Sequence, residues 1–110
     1  MKKIVLVSCA SKKRNHRAKA RDLYTSPLFV GNLRFAESLK PDSIFILSAK
    51  YGLLELDAEI EPYDLTLNHM SPALLRAWAG RVTDQLRRKA DLLHDHFVFL
   101  AGDKYRKHLL

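Results

Sequence analysis

The chain has 110 residues, 47% of them hydrophobic, and its 19 Lys and Arg outnumber 12 Asp and Glu, for a formal charge of +7. That length suits a single domain, residues 1–110, able to bury a core without disulfides or structural metal. The one cysteine, Cys9, excludes an internal disulfide, and the surplus of cations favours anionic partners: nucleotide, nucleobase or nucleic acid. No stretch approaches the ~20 apolar residues of a membrane span. Lys2 and Lys3 precede an apolar run too short for a signal peptide, so a cytoplasmic protein without membrane contact is expected.

The first strand is expected at residues 3–8, ending in Ser8-Cys9-Ala10-Ser11-Lys12. A basic loop follows at 10–22, crowded with Lys12, Lys13, Arg14, Arg17, Lys19 and Arg21 and without apolar period. Ser26-Pro27 reads as an N-cap with proline in the first turn, and Phe29, Leu33, Ala36 and Leu39 mark a helical stripe that Pro41 stops. Residues 43–48 form the second strand, whose unbroken apolar run suits burial on both faces.

Segment 49–68 is irregular and reads as a structured loop with a helical turn near 53–56, punctuated by Gly52 and Pro62. A second Ser-Pro cap at Ser71-Pro72 opens a helix expected over 72–92, with Leu75, Trp78, Val82 and Leu86 inward. Arg81, Asp84, Gln85 and Arg88 are left for its outer face. The third strand is 96–101, after which Asp103 is placed to cap a short helix carrying Tyr105, Leu109 and Leu110. This order predicts an α/β fold, a three-layer α/β/α sandwich on a small central parallel sheet. Three strands make a small sheet and the chain stops within an amphipathic helix, so a further strand or a partner chain is expected to complete it.

Parallel strands would bring three polar ends to one sheet edge, where open α/β folds place their ligands. Ser8, Cys9, Ser11 and Lys12 suit an oxyanion or phosphate, but without the glycines of a P-loop or a dinucleotide fingerprint. Cys9 is open to two readings, a nucleophile or a small packed side chain. Ser48-Ala49-Lys50-Tyr51-Gly52 ends the second strand in a cation, an aromatic ring and a residue that permits a sharp turn. Tyr51 could stack on a base and Lys50 hold a phosphate, or the ring could simply pack on its own loop beside a solvated lysine. The same Lys-Tyr pair recurs as Lys104-Tyr105 after the third strand.

Glu61 and Asp64, flanking Pro62-Tyr63, are candidates for proton transfer, or else turn residues and partners of nearby lysines. His94 and His96 are two apart, yet no third ligand stands at a supporting spacing, and His16, His69 and His108 are scattered. No metal and no cofactor is expected.

Together, Ser8-Cys9 with Lys12, Leu23-Tyr24 with Ser26 and Phe29, and Leu47-Ser48-Ala49-Lys50-Tyr51-Gly52-Leu53 carry a likeness that continues through Pro62-Tyr63-Asp64, Thr66-Leu67 and Leu100-Ala101-Gly102 with Tyr105. The chain resembles a widespread group of uncharacterised bacterial and phage proteins whose members usually run longer. More distantly it is similar to the uracil-DNA-glycosylase-like domain of archaeosine-synthase-type tRNA-guanine transglycosylase relatives. That similarity implies a central parallel sheet and a site for a base or modified nucleotide. It departs in one respect: glycosylases of that fold carry a water-activating Asp or Asn after the first strand, where this chain has Ser8-Cys9-Ala10-Ser11-Lys12.

The resulting expectation is a domain acting on a nucleobase, nucleotide or nucleic acid, in modification or N-glycosidic chemistry. Cys9, Lys50 and Asp64 are the candidate catalytic residues. Ser8, Ser11, Lys12, Tyr24, Ser26, Ser48, Tyr51, Gly52, Tyr63, Gly102 and Tyr105 are candidate ligand contacts. The alternative is a non-catalytic module that reads nucleic acid through the basic loop.

Overall fold

The computed structural model describes residues 1–10, 12–101 and 109. The strand expected first is β1, Lys3–Ser8, and all four residues from Ile4 to Val7 are buried. A two-residue strand β2, Ala18–Lys19, and one helical turn α1, Ala20–Leu23, interrupt what sequence alone presents as an unstructured basic loop. Their cause lies far along the chain: β2 pairs antiparallel with β5, Glu59–Ile60, a contact that no local pattern announces.

Helix α2, Pro27–Ser38, starts at the expected Ser-Pro and turns Phe29, Leu33 and Ala36 inward. Ser26 occupies the N-cap position, but its side chain makes no capping hydrogen bond, which corrects the expected role. The helix ends at Leu39, and Lys40 then takes a left-handed conformation (φ 49°) that turns the chain toward β3, Ser43–Ser48.

Segment 52–55 is not a helical turn. It is β4, Gly52–Glu55, which folds back antiparallel on β3 with Ser48 opposite Gly52 and Leu47 opposite Leu53. A 3-10 turn at Leu67–His69, where Thr66 accepts from the Asn68 N–H, leads to α3, Pro72–Arg87, and here the Ser71 hydroxyl does cap, accepting from Leu74 N–H. The helix stops short of the expected residue 92. Asp91 Oδ1 accepts from the N–H groups of Leu93 and His94, a local turn that competes with helix continuation. Strand β6, His96–Leu100, completes the described elements.

The sheet runs β4-β3-β1-β6, with β1 central and parallel to β3 and β6, and β4 the one antiparallel strand. The expected three-strand parallel sheet is thus a four-strand, mostly parallel one. Alternation along the strands separates two cores. Ile4, Leu6, Phe45 and Leu47 pack under α3 through Leu75, Trp78, Val82 and Leu86. Val5, Val7 and Ile46 pack under α2 through Phe29, Leu33 and Ala36. The helices therefore lie on opposite faces. Among the described residues, no helix is long and apolar enough to cross a membrane.

Candidate functional site

The C-terminal ends of β1 and β3 lie side by side, with Ser8 paired to Leu47 and the Cys9 N–H extending the ladder to Leu47 O at 2.9 Å. The chain leaves β1 toward the α2 face and leaves β3, after β4 and the 56–71 connection, toward α3, so the two ends flank a divergence of the kind that holds ligands in open α/β sheets. The same alternation sends Ser8 to the α3 side and Cys9 to the α2 side, so these two candidates do not share a face.

On the α2 side the ends are closed by hydroxyl groups. Ser48 is fully buried, and its Oγ accepts from the N–H groups of Tyr51 at 3.1 Å and Lys50 at 3.3 Å. With those lone pairs engaged, its own proton goes to the Tyr63 hydroxyl at 2.7 Å, and Tyr63 in turn donates to Tyr24 at 2.6 Å. The rings support one another: Tyr63 meets Tyr51 edge-on at 5.6 Å, and Tyr24 lies against Phe29 at 5.0 Å. Burial foremost, and next the negative charge that a neighbouring Cys9 sulfur carries when ionised, hold the Tyr24 and Tyr63 phenols far above the ordinary range. Both stay neutral donors at any physiological pH. Lys13 spreads its ammonium over the Tyr63 ring at 4.4 Å and the Tyr24 ring at 5.7 Å, and Lys50 sits over Tyr51 at 5.3 Å.

On the α3 side the same turn is gripped by a helix. Trp78 donates its indole N–H to Ser48 O at 2.8 Å, Arg81 donates to Lys50 O at 3.1 Å, and Gln85 accepts from Leu53 N–H at 2.8 Å and donates to Tyr51 O at 3.3 Å. Gly52 adopts φ +75°, and an added Cβ would run into the Gln85 side-chain oxygen. Gln85 is thus inward-turned, contrary to its expected place on the outer face.

Cys9, Tyr24, Ser48, Lys50, Tyr51, Gly52 and Tyr63 are therefore gathered as expected around one turn. Ser26 lies at the α2 N-cap, and Lys12 is exposed, its carbonyl accepting from Thr25 N–H. Ser11, Gly102 and Tyr105, and with them Asp103, Lys104 and Leu110, lie outside the described residues. Asp64 is exposed, and among the described residues no hydrogen bond or ion pair ties it to the hydroxyl cluster. Glu61 is held by Arg17 at 3.4 Å.

The basic loop is partly neutralised: Arg17 also approaches Glu59 at 4.0 Å, and Arg21 Nε lies 3.1 Å from Asp57 without hydrogen-bond alignment. Sequence reasoning missed Lys13, hidden in a run of like charges, and the clamp of Trp78, Arg81 and Gln85. Their spacing of three and four residues puts those three on one stripe of α3, which was the available signal.

Among the described residues no group of three or more His, Cys, Asp or Glu gathers to hold a metal. His94 pairs with Asp91 at 2.7 Å, and that carboxylate raises the histidine above its ordinary value. A groove of about 510 Å³ adjoins the turn on the α3 side near Lys50, Trp78 and Arg81, and another of about 440 Å³ runs along α2 near Arg14, Tyr24 and Arg34.

A family model, described as a family of unknown function (DUF6884), matches residues 4–110. The chain belongs to DUF6884. No curated protein and no solved structure matches this DUF6884 chain.

Proposed function

We propose that the edge formed by Cys9, Lys13, Ser48, Lys50, Tyr51 and Tyr63 binds a nucleobase, nucleotide or nucleic-acid segment. One observation carries the reading: two lysine ammonium groups lie over tyrosine rings, Lys13 at 4.4 Å and Lys50 at 5.3 Å, at the adjoining ends of β1 and β3. A cation beside an aromatic face is the pairing that a phosphate-bearing ring needs, the ammonium taking the charge and the ring the π-face. The sheet with a helix on either face is compatible with the uracil-DNA-glycosylase-like architecture that the sequence resembles, and that relation is part of the proposal.

Binding is favoured over hydrolysis. A water-activating step needs a general base at the site, and the two carboxylates flanking Pro62-Tyr63 are an exposed Asp64 and a Glu61 already paired with Arg17. N-glycosidic chemistry at this edge would have to rest on Cys9 and the phenols. The basic loop is a weaker reader of nucleic acid than its composition suggests, because Arg17 and Arg21 already face Glu59, Glu61 and Asp57.

Calorimetric titration of the chain with nucleoside monophosphates and a short single-stranded oligonucleotide tests the reading. Saturable binding that falls about tenfold in Lys13→Ala and in Lys50→Ala, an expected loss of one charge-assisted contact each, supports it. Absence of binding to every one of these ligands, or affinities untouched by both substitutions, overturns it. Oligonucleotide binding with a steep salt dependence and no monophosphate binding would favour the non-catalytic module instead.

A further inference from the structure

The α3-side groove has a different chemistry from the tyrosine cluster. Its walls are Leu65, Met70, Leu74 and Trp78 with the His69 imidazole beside them, and its charged lining is Lys50 and Arg81, with no carboxylate among the described residues. Leu65 and Leu74 stand 43% and 58% exposed, so the apolar wall is open to an occupant. The α2-side groove, by contrast, sets Asp22 and Glu37 among Arg14, Arg21 and Arg34 and so answers its own cations. Arg81 is also pre-positioned. One guanidinium N–H is fixed on Lys50 O at 3.1 Å, which orients the planar group and leaves its other donors to a ligand.

From this geometry we infer that the groove binds a small amphipathic anion, an apolar body carrying one carboxylate or phosphate, with the body against Trp78, Met70 and Leu74 and the charge at Arg81 and Lys50. Its volume of about 510 Å³ falls within the ~300–1,000 Å³ of small-molecule sites. An apolar wall with two cations in its lining selects such a ligand twice over. A neutral apolar molecule leaves the cations unanswered, and a bare inorganic anion leaves the leucines in water. The inference does not rest on the nucleotide reading, since apart from Lys50 the residues used here lie on the opposite side of the Ser48 turn.

Trp78 is the chain's one tryptophan, so its fluorescence reports on the groove directly. The full chain is titrated with decanoate, decanol and inorganic phosphate as probes. The expected result is a saturable change in emission with decanoate, at least tenfold tighter than with decanol, and no response to phosphate. Ala77→Phe, which fills the groove from the exposed surface of α3, should abolish the decanoate response. Arg81→Gln should cut the preference for acid over alcohol to below threefold while decanol still binds, with Lys50→Gln as the second variant should the first not fold. Equal affinity for acid and alcohol, a response that does not saturate, or undiminished decanoate binding in Ala77→Phe would each overturn the inference.

Discussion

The two sides of the β3 C-terminus solve one problem in opposite ways. On the α2 side, Ser48, Tyr63 and Tyr24 are linked in a directed chain of hydroxyls that ties the turn to the α2 core. On the α3 side, Trp78, Arg81 and Gln85 hold the backbone of the turn by its carbonyls and one N–H, and Arg81 retains donors facing a groove. On the first side the hydroxyls serve the fold and leave ligand contact to the lysines over the rings; on the second a charged group of the clamp itself faces a groove. The comparison gives each side a distinct response to substitution.

The largest effect is expected where the two sides meet. Gly52→Ala places a Cβ at φ +75° and against the Gln85 side chain, and the two penalties together should cost about 3 kcal/mol. Denaturant unfolding followed by Trp78 fluorescence measures it. A cost below about 1 kcal/mol would mean that the turn and α3 are not locked together, and the two sides would have to be treated as independent.

That lock explains what sequence could and could not reveal. Strands β1 and β3 and helices α2 and α3 were legible because each carries its own apolar period, matched by the face it buries. β4 was not, since its adjacent Leu53 and Leu54 do not alternate and its pairing depends on the Gly52 turn and on Gln85, 32 residues beyond Leu53. β2 and β5 are two residues each, too short for any period, and exist only through each other. The site was legible as a set of strand ends but not as chemistry. Motif reading named Ser48, Tyr51, Tyr63 and Tyr24 as ligand contacts but could not show that the Tyr24 and Tyr63 hydroxyls bond each other and Ser48, or that the Tyr51 N–H donates to Ser48. Lys13 and Arg81 looked like solvated charge, because nothing local separates a lysine over a ring from one in water.

Within the hydroxyl chain the central member should matter most. Tyr63→Phe removes both links and leaves the buried Ser48 proton without its acceptor, at an expected cost of about 2 kcal/mol. Tyr24→Phe removes only the terminal link and should cost about 1 kcal/mol. The order of these two costs, read from unfolding midpoints at constant m-value, is the check. A reversed order would show that Tyr63 is not the link on which the chain of hydroxyls depends.

The smallest effect is the pH dependence that the same burial imposes. The folded state holds the Tyr24 and Tyr63 protons more tightly than the unfolded chain, whose phenols ionise near the ordinary value of about 10. A raised folded value means that their contribution is fully present below about pH 10 and declines as pH rises beyond it, by up to roughly 1.4 kcal/mol per pH unit for each phenol. At pH 11 the expected loss is therefore about 1 kcal/mol for Tyr24, with Tyr63, half-buried, contributing less. Absorbance near 295 nm, compared between the native chain and the Tyr24→Phe, Tyr63→Phe double variant, isolates the two groups. Their phenolate signal should appear only together with unfolding. If it appears while the α3 side, reported by Trp78, is still folded, then the α2 side opens its hydroxyls to water independently of the α3 clamp, and the two sides do not unfold as one unit.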